Sequence, residues 1–161
     1  MMNASRIDKL LLSNPLVRGT IETLVLIGTG LLGLVFSWPA LPFFPMLNIL
    51  GVLLLIGGFA FHVYAEKNHK QAHEKSADIV KIVKSGVFAK IRHPLYLGII
   101  VMNLGIALAF GVVATVVIAV ASVFHWTLSA LREEAFLLQK FGDEYKQYQK
   151  QVRWRFLPGI F

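Results

Sequence analysis

Two long stretches of this chain contain no Asp, Glu, Lys or Arg, residues 23–65 and residues 93–131. Charged residues make up 16% of the 161 residues, whereas a soluble domain carries about 25%. A membrane-spanning helix needs about 20 apolar residues, so each stretch is long enough for two spans. This pattern excludes an ordinary soluble globule and a disordered chain. It predicts an all-α integral membrane protein.

Proline and glycine mark the point where each uncharged stretch turns. Three prolines between residues 39 and 45 interrupt the first stretch, and Gly111 marks a softer break in the second. The third and fourth spans are expected to form a tight helical hairpin over residues 94–131, within a single membrane domain over residues 1–161. The four predicted spans cover about residues 20–38, 46–65, 94–110 and 112–131.

The basic residues predict the orientation of the four spans. All 16 Lys and Arg residues lie before the first span, in the loop over residues 66–92, or after Leu131. The positive-inside rule therefore predicts that both termini and this loop are cytoplasmic. The net charge of +7 suits anionic lipid headgroups, and nucleic acid is not an expected partner. The chain has no cysteine, which excludes a disulfide and a cysteine nucleophile.

Aromatic residues near the end of the chain predict an amphipathic helix. Phe141, Tyr145 and Tyr148 recur at helical spacing among charged residues, so they share one face. Such a helix either covers a site at the membrane surface or anchors the chain in the interface.

Three other patterns have simpler explanations than the functions they evoke. Residues 28–33 match G-x-G-x-x-G, but they lie within a predicted span, where small residues favour close helix packing. Glu66, His69 and His73 share a helical face that can hold zinc, yet the surrounding lysines indicate a solvated surface, and no metal site is predicted. Glu22 lies within a turn of the membrane edge, where Arg18 can pair with it. The alternative is a small proton-coupled exporter that uses Glu22.

The segment before the third span predicts an anion-binding site. Pro94 suits the first position of a helix, where its missing N–H removes no hydrogen bond. The N–H groups of the next three residues then lack helical partners, and a helix N-terminus favours an anion. Arg92 and His93 add further donors beside it.

The end of the fourth span carries the complementary groups. His125, Ser129 and Glu133 are four residues apart and form a polar stripe on one helix face, followed by Glu134. Because the third and fourth spans form a hairpin, these carboxylates should emerge close to the Arg-His pair. The combination predicts a site for a zwitterionic, hydroxyl-bearing ligand.

At these residues the chain resembles the isoprenylcysteine carboxyl methyltransferases and the related phospholipid N-methyltransferases. The resemblance lies in S-G-V-F-A-x-x-R-H-P-x-Y-x-G at residues 85–98, E-E-x-x-L at 133–137 and F-G-x-E-Y-x-x-Y-x-x-x-V at 141–152. It covers about residues 75–158, and the paired motifs in this order are more specific than either alone.

The resemblance implies a membrane methyltransferase that uses S-adenosyl-L-methionine at the cytoplasmic face and releases S-adenosyl-L-homocysteine. The cofactor-binding region is then residues 75–161. The implied cofactor-binding positions come from the loop before the R-H-P motif, the motif itself and the first glutamate. They are Val80, Lys81, Ile82, Val83, Phe88, Arg92, His93, Pro94, Leu95, Tyr96 and Glu133.

The implied acceptor is lipophilic, either a prenylcysteine-like carboxylate or a lipid amine, and should arrive from the lipid beside the fourth span. Ser129 stands where the family member acting on prenylcysteine has an arginine that meets the substrate carboxylate, so Arg132 or Arg153 is the expected replacement. Glu134 or His125 would take a proton from an amine or thiol, whereas a carboxylate acceptor needs no base. A remaining alternative is a family member without catalysis that serves as an assembly or sensor protein.

Overall fold

The computed structural model describes residues 10–42, 45–69 and 74–160. Within these ranges the chain is helical and contains no β-strand, which confirms the all-α prediction. A short 3₁₀ helix, Gly86–Ala89, lies in the loop between the second and third helices. The α-helices are α1 (Pro15–Val35), α2 (Met46–Lys67), α3 (Pro94–Phe110), α4 (Val113–Phe141) and α5 (Asp143–Gln151).

Three of these helices, α1, α2 and α4, are long and apolar enough to cross a membrane, whereas α3 has 17 residues and is shorter. The bounds of α3 coincide with the predicted span over residues 94–110. Helix α1 begins earlier than predicted because Asn14 caps it, accepting a hydrogen bond from the Leu16 N–H at 2.9 Å. Helix α4 continues past Leu131 to Phe141, so both glutamates of the E-E pair lie inside a helix.

Glycines allow α2 and α3 to pack backbone against backbone. A Cβ atom on Gly51 would lie 2.3 Å from the Ala109 backbone nitrogen, and one on Gly105 would lie 2.3 Å from that of Leu55. On α1, a Cβ atom on Gly30 would overlap the Phe110 ring. The small residues therefore serve helix packing, as membrane helices commonly require.

The helix ends meet in two separate places. At the C-terminal end of α3, the Leu41 N–H donates to the Gly111 carbonyl at 2.7 Å, which joins the two short connectors. At the N-terminal end of α3, the Arg92 N–H donates to the Trp154 carbonyl and the His93 N–H to the Arg155 carbonyl, both at 2.9 Å. These two hydrogen bonds bring the C-terminal segment beside the R-H-P motif.

Two adjacent glycines on α2 provide a test of this packing. A Cβ atom on Gly58 would lie 2.6 Å from the Met102 backbone nitrogen, whereas one on Gly57 would meet nothing within 4 Å. Gly58→Ala should therefore lower the melting temperature of the detergent-solubilised protein. Gly57→Ala should leave it unchanged or raise it slightly, because alanine is the better helix former by about 1 kcal/mol. Equal effects of the two substitutions would contradict this interface.

Candidate functional site

A pocket opens beside the N-terminal end of α3, with a volume of about 640 Å³ when its open mouth is included. Its wall combines apolar side chains with two carboxylates, two histidines, three tyrosines, a lysine and an arginine. The lining residues are Pro15, His69, Glu74, Ile79, Lys81, Ile82, Val83, Phe88, Arg92, His93, Leu95, Tyr96, Glu133, Leu137, Tyr145 and Tyr148.

The Glu133 carboxylate is held at the pocket wall by a neighbouring phenol. The Tyr96 hydroxyl donates to Glu133 Oε2 at 2.6 Å, and His93 Nδ1 lies 3.8 Å from the same oxygen. The rings of His93 and Tyr96 stack with centroids 5.4 Å apart. The arrangement orients one carboxylate toward the pocket, where it can accept hydrogen bonds from hydroxyl or ammonium groups.

The start of α3 offers backbone donors to the same pocket. His93 occupies the N-cap position of α3, and its side chain makes no capping hydrogen bond to the helix. The ring is instead directed to Glu134, with Nε2 3.1 Å from Oε1. The first N–H groups of the helix are therefore left for another partner, and the helix dipole favours a negative one.

The neighbouring Glu134 is buried and forms ion pairs with two arginines. Its side chain is only 6% exposed and lies beyond the apolar part of α4 that ends at Leu131. Arg92 Nε donates to one carboxylate oxygen at 2.8 Å, and Arg155 Nε donates to the other at 3.2 Å. Burial alone would raise the pKa of this carboxyl, but His93 and Arg92 lower the pKa to about 2. Glu134 is thus an ionised clamp with little capacity to act as a base.

Arg92 extends this clamp to the C-terminal segment. Its Nη1 donates to the carbonyl oxygens of Val152 at 2.7 Å and Arg153 at 2.8 Å. The side chain is buried, so these contacts and Glu134 satisfy most of its donors. Arg92 therefore secures the pocket wall in addition to lining it.

Helix α5 closes one side of the pocket. Tyr145 and Tyr148 are buried and pack with Ile79, Leu137 and Val152. The Tyr148 hydroxyl donates to the Phe88 carbonyl at 2.8 Å, which joins α5 to the 3₁₀ helix. Burial raises the pKa of both tyrosines, so both hydroxyls stay protonated. Of the two sequence-based interpretations of this helix, the structure favours a cover over the site.

Most of the predicted cofactor-binding residues lie together at this pocket. Within the described ranges, two of them fall outside its lining: Val80, whose side chain is 76% exposed, and Pro94, which is buried in the helix start. Arg132 lies on the exposed surface of α4, and His125 packs against Arg18 of α1. The residues that sequence reasoning missed are Pro15, His69, Glu74, Ile79, Leu137, Tyr145 and Tyr148.

Of the missed residues, the two tyrosines had a signal in the sequence, since they lie on the predicted aromatic stripe. His69 contacts the Phe88 ring at 4.9 Å between centroids, and so belongs to the pocket wall. His73, the third residue of the histidine pattern, lies outside the described residues. Among the residues that are described, no three His, Cys, Asp or Glu side chains are grouped so that they could hold a metal ion.

An apolar groove of about 1220 Å³, its open mouth included, adjoins the pocket. Its walls come from α1, α2 and α3. Pro15, Leu95 and Tyr96 line both the groove and the pocket. The remaining lining residues are Leu16, Gly19, Thr20, Thr23, Leu24, Phe59, His62, Val63, Glu66, Ile99 and Met102.

Glu22, the residue behind the exporter alternative, is held inside the bundle. Its Oε2 accepts hydrogen bonds from Trp126 Nε1 at 2.7 Å, Ser122 Oγ at 2.9 Å and Asn103 Nδ2 at 3.3 Å. These donors come from α3 and α4. Glu22 thus joins three helices, which is a packing role.

Comparison with known proteins agrees with the motifs. The sequence model of the phospholipid methyltransferase family matches residues 46–144. The chain is 33% identical to the protein-S-isoprenylcysteine O-methyltransferase of Schizosaccharomyces pombe over 86 residues, covering 53% of this chain and 36% of that protein. It is 30% identical to the human protein of the same name over 122 residues, covering 71% of this chain and 43% of that protein.

A third relative, the protein-S-isoprenylcysteine O-methyltransferase of Dictyostelium discoideum, is 32% identical over 93 residues, which cover 57% of this chain and 38% of that protein. The chain therefore spans about two fifths of the length of these curated relatives. The family match includes α2, α3, α4 and the loop between α2 and α3, which together carry most of the pocket. The chain belongs to the phospholipid methyltransferase family.

Proposed function

We propose that this chain is an S-adenosyl-L-methionine-dependent methyltransferase that acts on a lipophilic acceptor at the cytoplasmic face of a membrane. The observation that carries the proposal is the junction of a polar pocket and an apolar groove at Tyr96. The pocket suits a water-soluble methyl donor, and the groove suits an acceptor that comes from the lipid. Membership of the family supports the reaction class.

The donor groups of the pocket fit S-adenosyl-L-methionine. Glu133 would accept hydrogen bonds from its hydroxyl or ammonium groups, since Tyr96 already orients this carboxylate. The N–H groups at the start of α3, which no His93 side-chain cap occupies, would hold its carboxylate. Ile82, Val83 and the ring of Phe88 offer the apolar surface that an adenine ring requires.

Methyl transfer requires that the donor and the acceptor are held in position and that water is excluded. When bound, S-adenosyl-L-methionine supplies a methyl group on a positively charged sulfur, which a nucleophile can displace in line. Tyr145 and Tyr148 of α5 would exclude water from the pocket, and Glu133 would fix the donor relative to the groove. Glu134 would maintain the wall through its ion pairs and take no proton.

The groove supports a lipophilic acceptor that enters from the membrane. Its apolar residues lie on helices whose outer faces expose large apolar side chains, such as Leu24 at 63% and Leu53 at 62%. The relatives are named for action on S-isoprenylcysteine, a lipidated carboxylate. We extend that acceptor class to this chain, with a lipid amine as the other class the family name suggests.

We also propose four membrane spans, α1 to α4, with both termini and the loop over residues 66–92 in the cytoplasm. The joined connectors near Leu41 and Gly111 carry no basic residue, whereas the end of the bundle near Arg92 gathers many. The positive-inside rule then assigns the pocket to the cytoplasmic side. The shorter α3 would cross the membrane with its N-terminal end at the pocket.

The absence of native cysteine allows this orientation to be tested directly. Ala40 and Lys90 are exposed at the two ends of the bundle. In intact cells that express the chain, a membrane-impermeant maleimide should label Ala40→Cys. Lys90→Cys should react only after permeabilisation. The opposite pattern, or labelling of both without permeabilisation, would contradict the proposed topology.

Cofactor binding is testable by thermal stability in mild detergent. S-adenosyl-L-homocysteine at 100 times its dissociation constant should stabilise the protein by about 2.7 kcal/mol, and the melting temperature should rise. Glu133→Gln should abolish this rise. Asp143→Asn removes an exposed carboxylate at the start of α5 and is the matched control. Methyl transfer from labelled S-adenosyl-L-methionine to a lipid extract should follow the same pattern.

No stabilisation of the wild-type protein would contradict the methyltransferase proposal. Stabilisation without transfer to any lipid or prenylated acceptor would instead indicate a family member that has lost catalysis.

Substitution of Glu134 should lower the stability of the protein even when no ligand is present. Glu134→Gln would leave Arg92 and Arg155 without their carboxylate, and breaking a buried ion pair typically removes about 3–5 kcal/mol. The exposed pair between Lys84 and Glu144 serves as the comparison, since such pairs contribute about 0–1 kcal/mol. Thermal unfolding without ligand should show a large loss for Glu134→Gln and almost none for Glu144→Gln. Similar losses would contradict the clamp.

A further inference from the structure

His62 of α2 is held in one orientation beside the junction of the groove and the pocket. Its partly buried side chain lines the groove together with Leu95 and Tyr96, which line both cavities. The backbone at His62 packs against α3, since a Cβ atom on Gly98 would lie 2.8 Å from the His62 Cβ. The ring is fixed as well, because Nδ1 lies 3.1 Å from the Leu95 carbonyl oxygen.

The contact with Leu95 determines which ring nitrogen of His62 carries the proton. A carbonyl oxygen only accepts hydrogen bonds, so Nδ1 is the donor. The uncharged ring then has its lone pair on Nε2. No other hydrogen bond of this ring is found in the part of the chain that the structure describes. Nε2 is therefore available to take a proton from a molecule in the groove.

The bases that the sequence suggested are engaged elsewhere. Glu134 is paired with two arginines, and His125 Nε2 lies 3.1 Å from Arg18 Nη1. Glu22 accepts hydrogen bonds from three donors inside the bundle. The histidine of α2 is the imidazole that lines the groove and keeps a lone pair.

We propose that His62 is a catalytic residue, the base that takes a proton from a lipophilic amine bound in the groove. The inference deepens the proposed function and rests on it. The ammonium group of the acceptor gives a proton to Nε2, and the released lone pair on nitrogen forms the bond to the methyl carbon. The methyl–sulfur bond breaks, and its electron pair stays on sulfur. The product leaves as a methylated ammonium, and His62 returns its proton to water.

The charge of the groove agrees with an amine acceptor. Glu66 lies one helical turn after His62 and also lines the groove. No Lys or Arg is found among the described residues of this lining. A carboxylate in the groove attracts an ammonium group and repels an anionic acceptor. A carboxylate acceptor would, moreover, have no proton to give to His62.

The test uses dodecylamine and dodecanoic acid, which have the same chain length, with labelled S-adenosyl-L-methionine and the detergent-solubilised protein. Wild-type protein should methylate the amine faster than the acid. His62→Asn retains an N–H group for the Leu95 carbonyl but has no basic nitrogen. Its kcat for the amine should fall at least about a hundredfold, since general-base catalysis typically contributes about 10²–10⁴-fold. KM for the amine and stabilisation by S-adenosyl-L-homocysteine should change little.

Three further variants separate catalysis from structure. Activity of His62→Ala should be partly restored by imidazole in the buffer, which a structural role alone does not predict. Glu66→Gln should raise KM for the amine severalfold while kcat changes little, because it removes the attraction for the ammonium group. Tyr64→Asn replaces another ring of α2, at an exposed position, and is the control with unchanged kcat and KM.

Wild-type kcat in folded His62→Asn would overturn the role of His62. If that variant does not fold, failure of imidazole to restore His62→Ala overturns it instead. Absence of transfer to dodecylamine, while S-adenosyl-L-homocysteine still stabilises the wild-type protein, would also overturn it. Absence of stabilisation by S-adenosyl-L-homocysteine in wild-type protein would count against the methyltransferase proposal itself.

Discussion

The buried carboxylate of Glu134 is the interaction on which the rest of the site depends. It joins the end of α4 to Arg92 before α3 and to Arg155 in the C-terminal segment. Two arginines on one carboxylate compensate for the free-energy cost of removing it from water. An unpaired charge buried in the same way would destabilise the fold. These segments are distant in the chain, so the ion pairs of Glu134 are needed to hold them together as one pocket wall.

The clamp acts together with the glycine packing of α2 against α3. Close approach at Gly51 and Gly105 sets the position of α3 along α2, and therefore the position of its N-terminal end. The His62 ring, with Nδ1 3.1 Å from the Leu95 carbonyl, adds a polar contact at the same end. The result is that Tyr96 faces a polar pocket on one side and an apolar groove on the other. A methyl donor and a lipid acceptor would meet at that residue.

Much of the site was predictable because the hairpin of α3 and α4 is a local structure. The Arg-His pair and the two glutamates flank its two arms, so hydropathy alone indicated that they lie close together. The exposure of Arg132 and of Arg153 was not predictable in this way. Both were the expected partners of an acceptor carboxylate, and neither lines the pocket or the groove. The contact of Arg18 with Ser129 at 2.6 Å was equally unpredictable, because Arg18 comes from α1 and no spacing in the sequence relates the two residues.

The sequence by itself determined the helical class, the turns at proline and glycine, and the motif residues that gather at one end of the bundle. These follow from local propensity and from the exclusion of charge from lipid, which act over short lengths of chain. Only the tertiary structure decided that Glu133 lines the pocket while Glu134 is consumed in ion pairs, although the two residues are adjacent and chemically identical. Successive residues on a helix differ in direction by about 100°, and what each meets depends on the packing of distant segments. The same packing buries Arg18 of α1 against Ser129 and Trp126 of α4.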